Sequence, residues 1–107
     1  MFSRVVVDVP IGPLLNVALA RCRSAVLVMA PDIVSAQRSR VFLADHPSTR
    51  WAVVINRTGP GGETTVGALQ RIVGHPIAIE LPCAPALRDA ADDGKLLTSR
   101  LWRYRRA

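Results

Sequence analysis

The chain contains 107 residues, carries a formal net charge of +6 and is 50% hydrophobic. A chain of this length forms one domain or part of one, and this hydrophobic content excludes a disordered polymer. No apolar run reaches the roughly 18 residues of a membrane span, and the first residues show no secretory signal pattern. The sequence therefore predicts a cytoplasmic protein.

The two cysteines, Cys22 and Cys83, show neither CxxC spacing nor nearby histidines. This pattern excludes a zinc site of the usual kind. It predicts instead two small, buried side chains in a reducing compartment.

Short apolar runs alternate with helical patterns along the chain. Arg4–Val9 is rich in β-branched residues and ends at Pro10, which is typical of a buried parallel strand. Residues 11–23 then place apolar side chains at helical spacing, with Pro13 in the first turn. The predicted strands are 4–9, 24–30, 51–56 and 76–81, and the predicted helices are 11–23, 32–44, 63–73, 85–93 and 96–106.

Several residues mark where the predicted helices begin and end. Asp32 or Ser35 is expected to cap the helix that starts near residue 32. Thr64 or Thr65 is expected to cap the next helix, and Gly74 to end it.

The alternation of strands and helices predicts an α/β fold with a parallel sheet of about four strands, covered on both faces. Each crossover is expected to be right-handed. Ligands of such sheets bind beyond the carboxyl ends of the strands, which makes the strand-end residues the informative ones. These residues are Asp8, Pro10, Asn56, Arg57 and Pro82.

Five segments carry a resemblance to a known family: Val5–Pro10, Ala25–Asp32, Val53–Arg57, Gly74–Pro82 and Ala90–Lys95. Their order and spacing resemble the second half of the ParA/MinD-type P-loop ATPases, and most closely the CpaE-like subgroup linked to septum-site determination and Tad pilus secretion. The resemblance covers residues 4 to about 97, which implies a partial ATPase domain at 1–97 and a basic tail at 98–107.

The resemblance implies the C-terminal half of a doubly wound, Rossmann-like P-loop NTPase domain. It places Asp8 and Pro10 in a switch loop near a water-bound Mg²⁺, and Asn56, Arg57 and Pro82 around an adenine. ATP and Mg²⁺ are the cofactors that it implies for intact relatives. From the residues alone, Asp8 has a second explanation as a polar strand-end residue that caps a turn, and Asn56 as a turn-forming residue. Arg57 has a second explanation as a solvated charge and Pro82 as a strand terminator.

One departure from the family separates this chain from its intact relatives. The phosphate-binding loop needs glycines followed by a lysine, whereas the only lysine here is Lys95, near the C-terminus. We therefore expect no ATP hydrolysis and no catalytic residue. A sheet without the earlier strands also has an exposed edge, which predicts pairing with a second copy or with a separate N-terminal half.

The tail allows three interpretations. The first is a helix that packs Leu97, Leu101 and Trp102 on the sheet and leaves its arginines in water. The second is a surface helix on the inner face of an anionic membrane, because Leu97, Leu101 and Tyr104 fall on one helical stripe. The third is non-specific binding of the arginines to DNA. The residues expected to contact such a surface are Arg100, Trp102, Arg103, Arg105 and Arg106.

Overall fold

The computed structural model describes residues 3–58 and 64–94. Within them, helices and strands alternate along the chain from the first helix to the last. The elements are α1 (Leu15–Arg21), β1 (Ala25–Met29), α2 (Ile33–Asp45), β2 (Trp51–Thr58), α3 (Val66–Val73), β3 (Ile77–Pro82) and α4 (Pro85–Asp92).

The three strands form one parallel sheet in the order β1-β2-β3. Along the β1–β2 pair, Ala25 lies opposite Trp51 and Met29 lies opposite Ile55. The predicted α/β fold, with a parallel sheet and alternating helices, is therefore confirmed.

The core lies on one face of this sheet. Met29, Val53 and Ile55 point toward α2 and α3, where they meet buried side chains that include Ala36 and Leu69. The strands lie in the sheet in the same order as in the chain. Two right-handed crossovers in the same direction place their helices on the same face, which is why α2 and α3 lie together.

The helix boundaries follow from local hydrogen bonds. The Asp32 carboxylate accepts a hydrogen bond from the Ser35 amide at 2.7 Å, and the Thr65 hydroxyl accepts one from the Ala68 amide at 3.2 Å. Gly74 ends α3 in the left-handed conformation, with a φ of 71°. Asp32 is thus the cap of α2, Thr65 is the cap of α3, and the predicted role of Gly74 is confirmed.

An aromatic cluster joins the end of α2 to the start of β2. The rings of Phe42 and His46 are 4.5 Å apart, and those of Phe42 and Trp51 are 5.2 Å apart with an edge-on geometry. The Trp51 indole donates a hydrogen bond to the carbonyl of His46 at 3.3 Å. These contacts fix where β2 enters the sheet.

The strand predicted at 4–9 does not form. Residues 4–10 have no regular secondary structure, and Val6 is 96% exposed. A strand needs a neighbour to satisfy its backbone groups, and a cavity of about 310 Å³ lies between this segment and β1. The segment has strand composition but no strand partner.

Two further expectations were wrong for the described residues. Cys22 and Cys83 are exposed rather than buried. The sheet is also not covered on both faces, because Val26, Val28 and Ile79 are exposed on the face opposite the core. The apolar composition of the strands predicted helices on both faces of the sheet. The observed strand order instead places α2 and α3 on the same face.

Candidate functional site

The predicted adenine-binding residues lie together at the carboxyl ends of β2 and β3. Asn56 lies opposite Leu81, and Thr58 lies opposite Pro82. The Thr58 hydroxyl donates a hydrogen bond to the Leu81 carbonyl at 3.3 Å, and the Cys83 amide donates one to the Thr58 carbonyl at 2.6 Å. These bonds hold the two strand ends side by side, with Arg57 between Asn56 and Thr58.

The backbone at Arg57 departs from regular strand geometry. Its φ is 66°, and it is the only non-glycine with a positive φ among the described residues. The β2–β3 register shifts between Asn56 and Thr58, so Arg57 is the extra residue of a bulge. Bulges re-aim side chains, and a non-glycine in this conformation is strained. Such strain is concentrated at functional sites, which makes Arg57 a candidate ligand-contacting residue.

The side chains at this strand end suit a planar polar ligand. Asn56 is half-buried and offers both a donor and an acceptor, while Arg57 is exposed and offers a planar cation. Together they match the hydrogen-bonding edge and the face of a nucleobase, or a small anion.

Asp8 lies away from this cluster. It lines the 310 Å³ cavity together with Ser24, Ala25 and Trp51, which stand at the starts of β1 and β2. Asn56 stands at the other end of β2, about 17 Å from Trp51 along the strand. Pro10 is exposed, next to the loop that leads to α1. The structure therefore brings together the three predicted adenine residues but not the predicted magnesium residue.

The described residues fit a base better than they fit a metal–triphosphate group. Mg²⁺ prefers octahedral oxygen coordination, and Asp8 is a single exposed carboxylate. Among residues 3–58 and 64–94, no group of three or more His, Cys, Asp or Glu side chains is arranged to hold a metal ion. The one lysine of the chain, Lys95, lies outside those ranges.

The basic tail also lies outside the described residues. This applies to the predicted contact residues Arg100, Trp102, Arg103, Arg105 and Arg106, to the helix predicted at 96–106 and to the boundary at residue 97. In the part of the chain that is described, no helix is long and apolar enough to cross a membrane.

Sequence reasoning missed two features that bear on function. The bulge at Arg57 could not be predicted from the local sequence, because the residue in a left-handed conformation is usually glycine or asparagine and here it is arginine. The exposed apolar face with Val26 and Val28 was not predicted, because the sequences of the strands do not give their order in the sheet. Knowledge of the order β1-β2-β3 would have predicted it, since right-handed crossovers then place both helices on one face.

The alternating helices and strands and the parallel sheet define a Rossmann-like α/β fold. This fold is similar to that of a chain in the MinC:MinD cell division protein complex of Aquifex aeolicus, with a TM-score of 0.66 and 21% sequence identity. The match covers 81% of this chain and 39% of that chain, so the present chain spans less than half of its length. No family model matches the chain, and no curated protein matches it. The likeness shows the fold.

Proposed function

We propose that this chain is a ParA/MinD-like module of the CpaE-like kind, equivalent to the C-terminal half of the ATPase domain. Its function is the positioning of the division septum or of a Tad pilus secretion apparatus. The observation that carries the proposal is the fold likeness to the MinC:MinD complex over 81% of the chain. MinD is a ParA/MinD P-loop ATPase, and the motifs from Val5 to Lys95 follow that family's order.

The proposed mode of action is binding to a protein partner without ATP hydrolysis. The similar structure is itself a complex of two cell division proteins. In this proposal Asn56 and Arg57 form a base-binding edge, and Lys95 is too far along the sequence to belong to a phosphate-binding loop. The module thus binds a nucleotide at most, without hydrolysing it, and it acts through contacts with a partner.

The absence of hydrolysis is tested by phosphate release from Mg²⁺-ATP. Purified chain is expected to release phosphate no faster than a protein-free sample. Steady hydrolysis that disappears in the Asp8→Ala variant would contradict the proposal, because it would assign Asp8 a working metal.

The base-binding edge is tested by titrating a fluorescent adenosine nucleotide. Asn56→Ala removes both hydrogen-bonding groups and is expected to weaken any binding about tenfold. Asn16→Ala is the matched control, since Asn16 is an exposed amide on α1. Equal affinity for both variants would remove the adenine role from Asn56.

The cellular role is tested by deleting the coding sequence in the native host. Displaced septa identify septum-site positioning, and normal septa with fewer surface pili identify a secretion role. Normal septa together with normal pili would refute the proposed function.

A second candidate function is that of a nucleotide-free interaction module. The observation in its favour is the outer edge of β1, which has no strand partner in the described sheet and lies beside the exposed segment Arg4–Val9. An unpaired edge of this kind is a template for another strand. Binding to DNA or to an anionic membrane through the tail remains a prediction from the sequence.

A further inference from the structure

The segment Arg4–Val9, helix α1 and the start of β1 line an open groove. Val5, Val6 and Val7 are exposed on one side, Ala25 and Val26 of β1 lie on another, and Leu15, Ala18 and Leu19 of α1 form a third. The cavity between them measures about 310 Å³. One residue of a strand occupies about 160 Å³, from a strand spacing of ~4.8 Å, a rise of ~3.3 Å and a sheet spacing of ~10 Å. The enclosed part of the groove therefore holds about two residues of an added strand.

The segment follows β1 in the same direction. Val5–Val9 line the cavity with the start of β1, and Ile11 lines a second cavity with Met29 and Ala30 at its end. The segment thus lies alongside β1, whose outer edge has no strand partner in the described sheet.

The sequence of the segment is complementary to itself. When Arg4-Val5-Val6-Val7-Asp8 pairs antiparallel with a second copy centred on Val6, Arg4 lies opposite Asp8 at both ends and Val5 lies opposite Val7. Opposite charges that face each other across two strands stabilise the pairing, and β-branched pairs favour it as well. Both Arg4 and Asp8 are exposed, and neither has an ion-pair partner among the described residues.

We propose that two copies of this chain associate by inserting Arg4–Val9 of each copy into the groove of the other. The two segments then pair antiparallel about a two-fold axis at Val6, and each also pairs with β1 of the opposite copy. The product is one continuous sheet in which both unpaired β1 edges are filled. An interface of this kind is isologous and closes at two copies, so it does not propagate into fibres.

This inference rests on the second candidate function and selects its partner as a second copy. It is independent of nucleotide binding and of any role in septum placement. Its failure would therefore leave the positioning function standing, and the deletion phenotype would be unaffected by it.

The association is tested by sedimentation velocity and light scattering over a range of micromolar concentrations. The expected mass at the upper end is twice that of the 11.6 kDa chain. Val6→Asp places two like charges opposite each other on the two-fold axis and is expected to weaken association about a hundredfold. Val41→Asp is the matched control, because Val41 is an exposed valine on α2 and lies outside the groove.

A charge exchange tests the register. Arg4→Asp and Asp8→Arg each turn two attractive pairs into repulsive ones, and each is expected to weaken association about tenfold. The double variant Arg4→Asp/Asp8→Arg restores opposite charges at both ends and is expected to recover the wild-type affinity. Far-UV circular dichroism of each variant checks that the exposed substitutions leave the fold intact.

Three outcomes would overturn the inference. The first is a wild-type mass of one chain at all concentrations. This outcome would overturn the inference even if a separate polypeptide were found to bind the β1 edge. The second is a dimer that Val6→Asp leaves unchanged, which would place the interface elsewhere. The third is a double charge variant no better than the single ones, which would remove the proposed register.

Discussion

At the scale of single residues, the strand-end site depends on one unusual backbone conformation. Arg57 lies in a strand but has a φ of 66°, in the left-handed region. For a residue with a Cβ atom, this conformation costs about 1–2 kcal/mol relative to the right-handed region. The chain maintains this conformation because the Thr58 carbonyl and hydroxyl both bond to the adjacent strand. Arg57 is exposed at this end of β2, and Asn56 beside it is half-buried.

Substitutions at Arg57 are predicted to follow backbone preference rather than charge. Arg57→Val puts a β-branched residue in the left-handed region and is expected to lower the free energy of unfolding by about 1–2 kcal/mol. Arg57→Gly relieves the backbone strain but raises the conformational entropy of the unfolded chain. These effects oppose each other, so the free energy of unfolding is expected to change by less than about 1 kcal/mol. Urea unfolding, followed by tryptophan fluorescence, measures both values.

A matched variant separates backbone strain from a general effect of valine. Glu80 is an exposed strand residue with an ordinary φ, so Glu80→Val is expected to change stability by less than about 0.5 kcal/mol. Equal losses for Arg57→Val and Glu80→Val would show that the bulge is not strained in solution.

At the scale of elements, the sheet has one packed face and one largely open face. On the open face Val54 of the central strand is buried, but Val28 and Ile79 beside it are exposed. Val53 is fully buried against α2 and α3, whereas Val28 is 59% exposed on the opposite face. Val→Thr preserves shape but adds a hydroxyl, which is costly to bury and harmless in water. Val53→Thr is therefore expected to lower the free energy of unfolding by about 1–3 kcal/mol, and Val28→Thr by less than about 0.5 kcal/mol.

Thermal and urea unfolding of the two variants provide the measurement. A Val28→Thr loss as large as that of Val53→Thr would mean that the open face is covered in solution, by the tail or by a partner. The comparison uses the same substitution in two parallel strands, so the intrinsic strand preference of threonine cancels.

The sequence predicted the elements whose causes are local. Asp32 and Thr65 were predicted among the capping residues because a cap bonds to an amide three positions away, and Gly74 was predicted because α3 ends in a left-handed residue. The cluster of Asn56, Arg57 and Pro82 was also predictable, since the carboxyl ends of neighbouring parallel strands share one edge.

The sequence did not predict what depends on distant partners. Arg4–Val9 has the composition of a strand, but strand formation requires a second strand beside it. Its failure to join the sheet also explains the position of Asp8, which was expected at the strand-end cluster. The role predicted for Asp8 stays a prediction, now without Asn56 as its neighbour.

At the scale of the whole molecule, the positive charge is carried mainly by the tail. Residues 98–107 contain four arginines and no acidic residue, so their removal lowers the formal net charge from +6 to +2. The remainder of the chain is close to balance, and a polyanionic surface would therefore be recognised by the tail.

Deleting residues 98–107 separates the three interpretations of the tail. If the tail binds DNA, the deletion is expected to abolish binding, and wild-type binding should lose up to about 3.6 units of log affinity per tenfold rise in salt, from four phosphate contacts. If it binds an anionic membrane, four arginines supply about 4 kcal/mol, and the deletion is expected to abolish sedimentation with phosphatidylserine vesicles.

If the tail packs on the sheet, neither ligand is bound and the deletion instead lowers the urea midpoint. A full-length variant with glutamine at the four arginine positions is the control, because it removes the charge and keeps the apolar stripe. Lost binding in this variant with unchanged stability supports a polyanion-binding tail. Unchanged, salt-sensitive binding after the deletion would assign the interaction to residues 1–97, where ten basic and eight acidic residues nearly cancel.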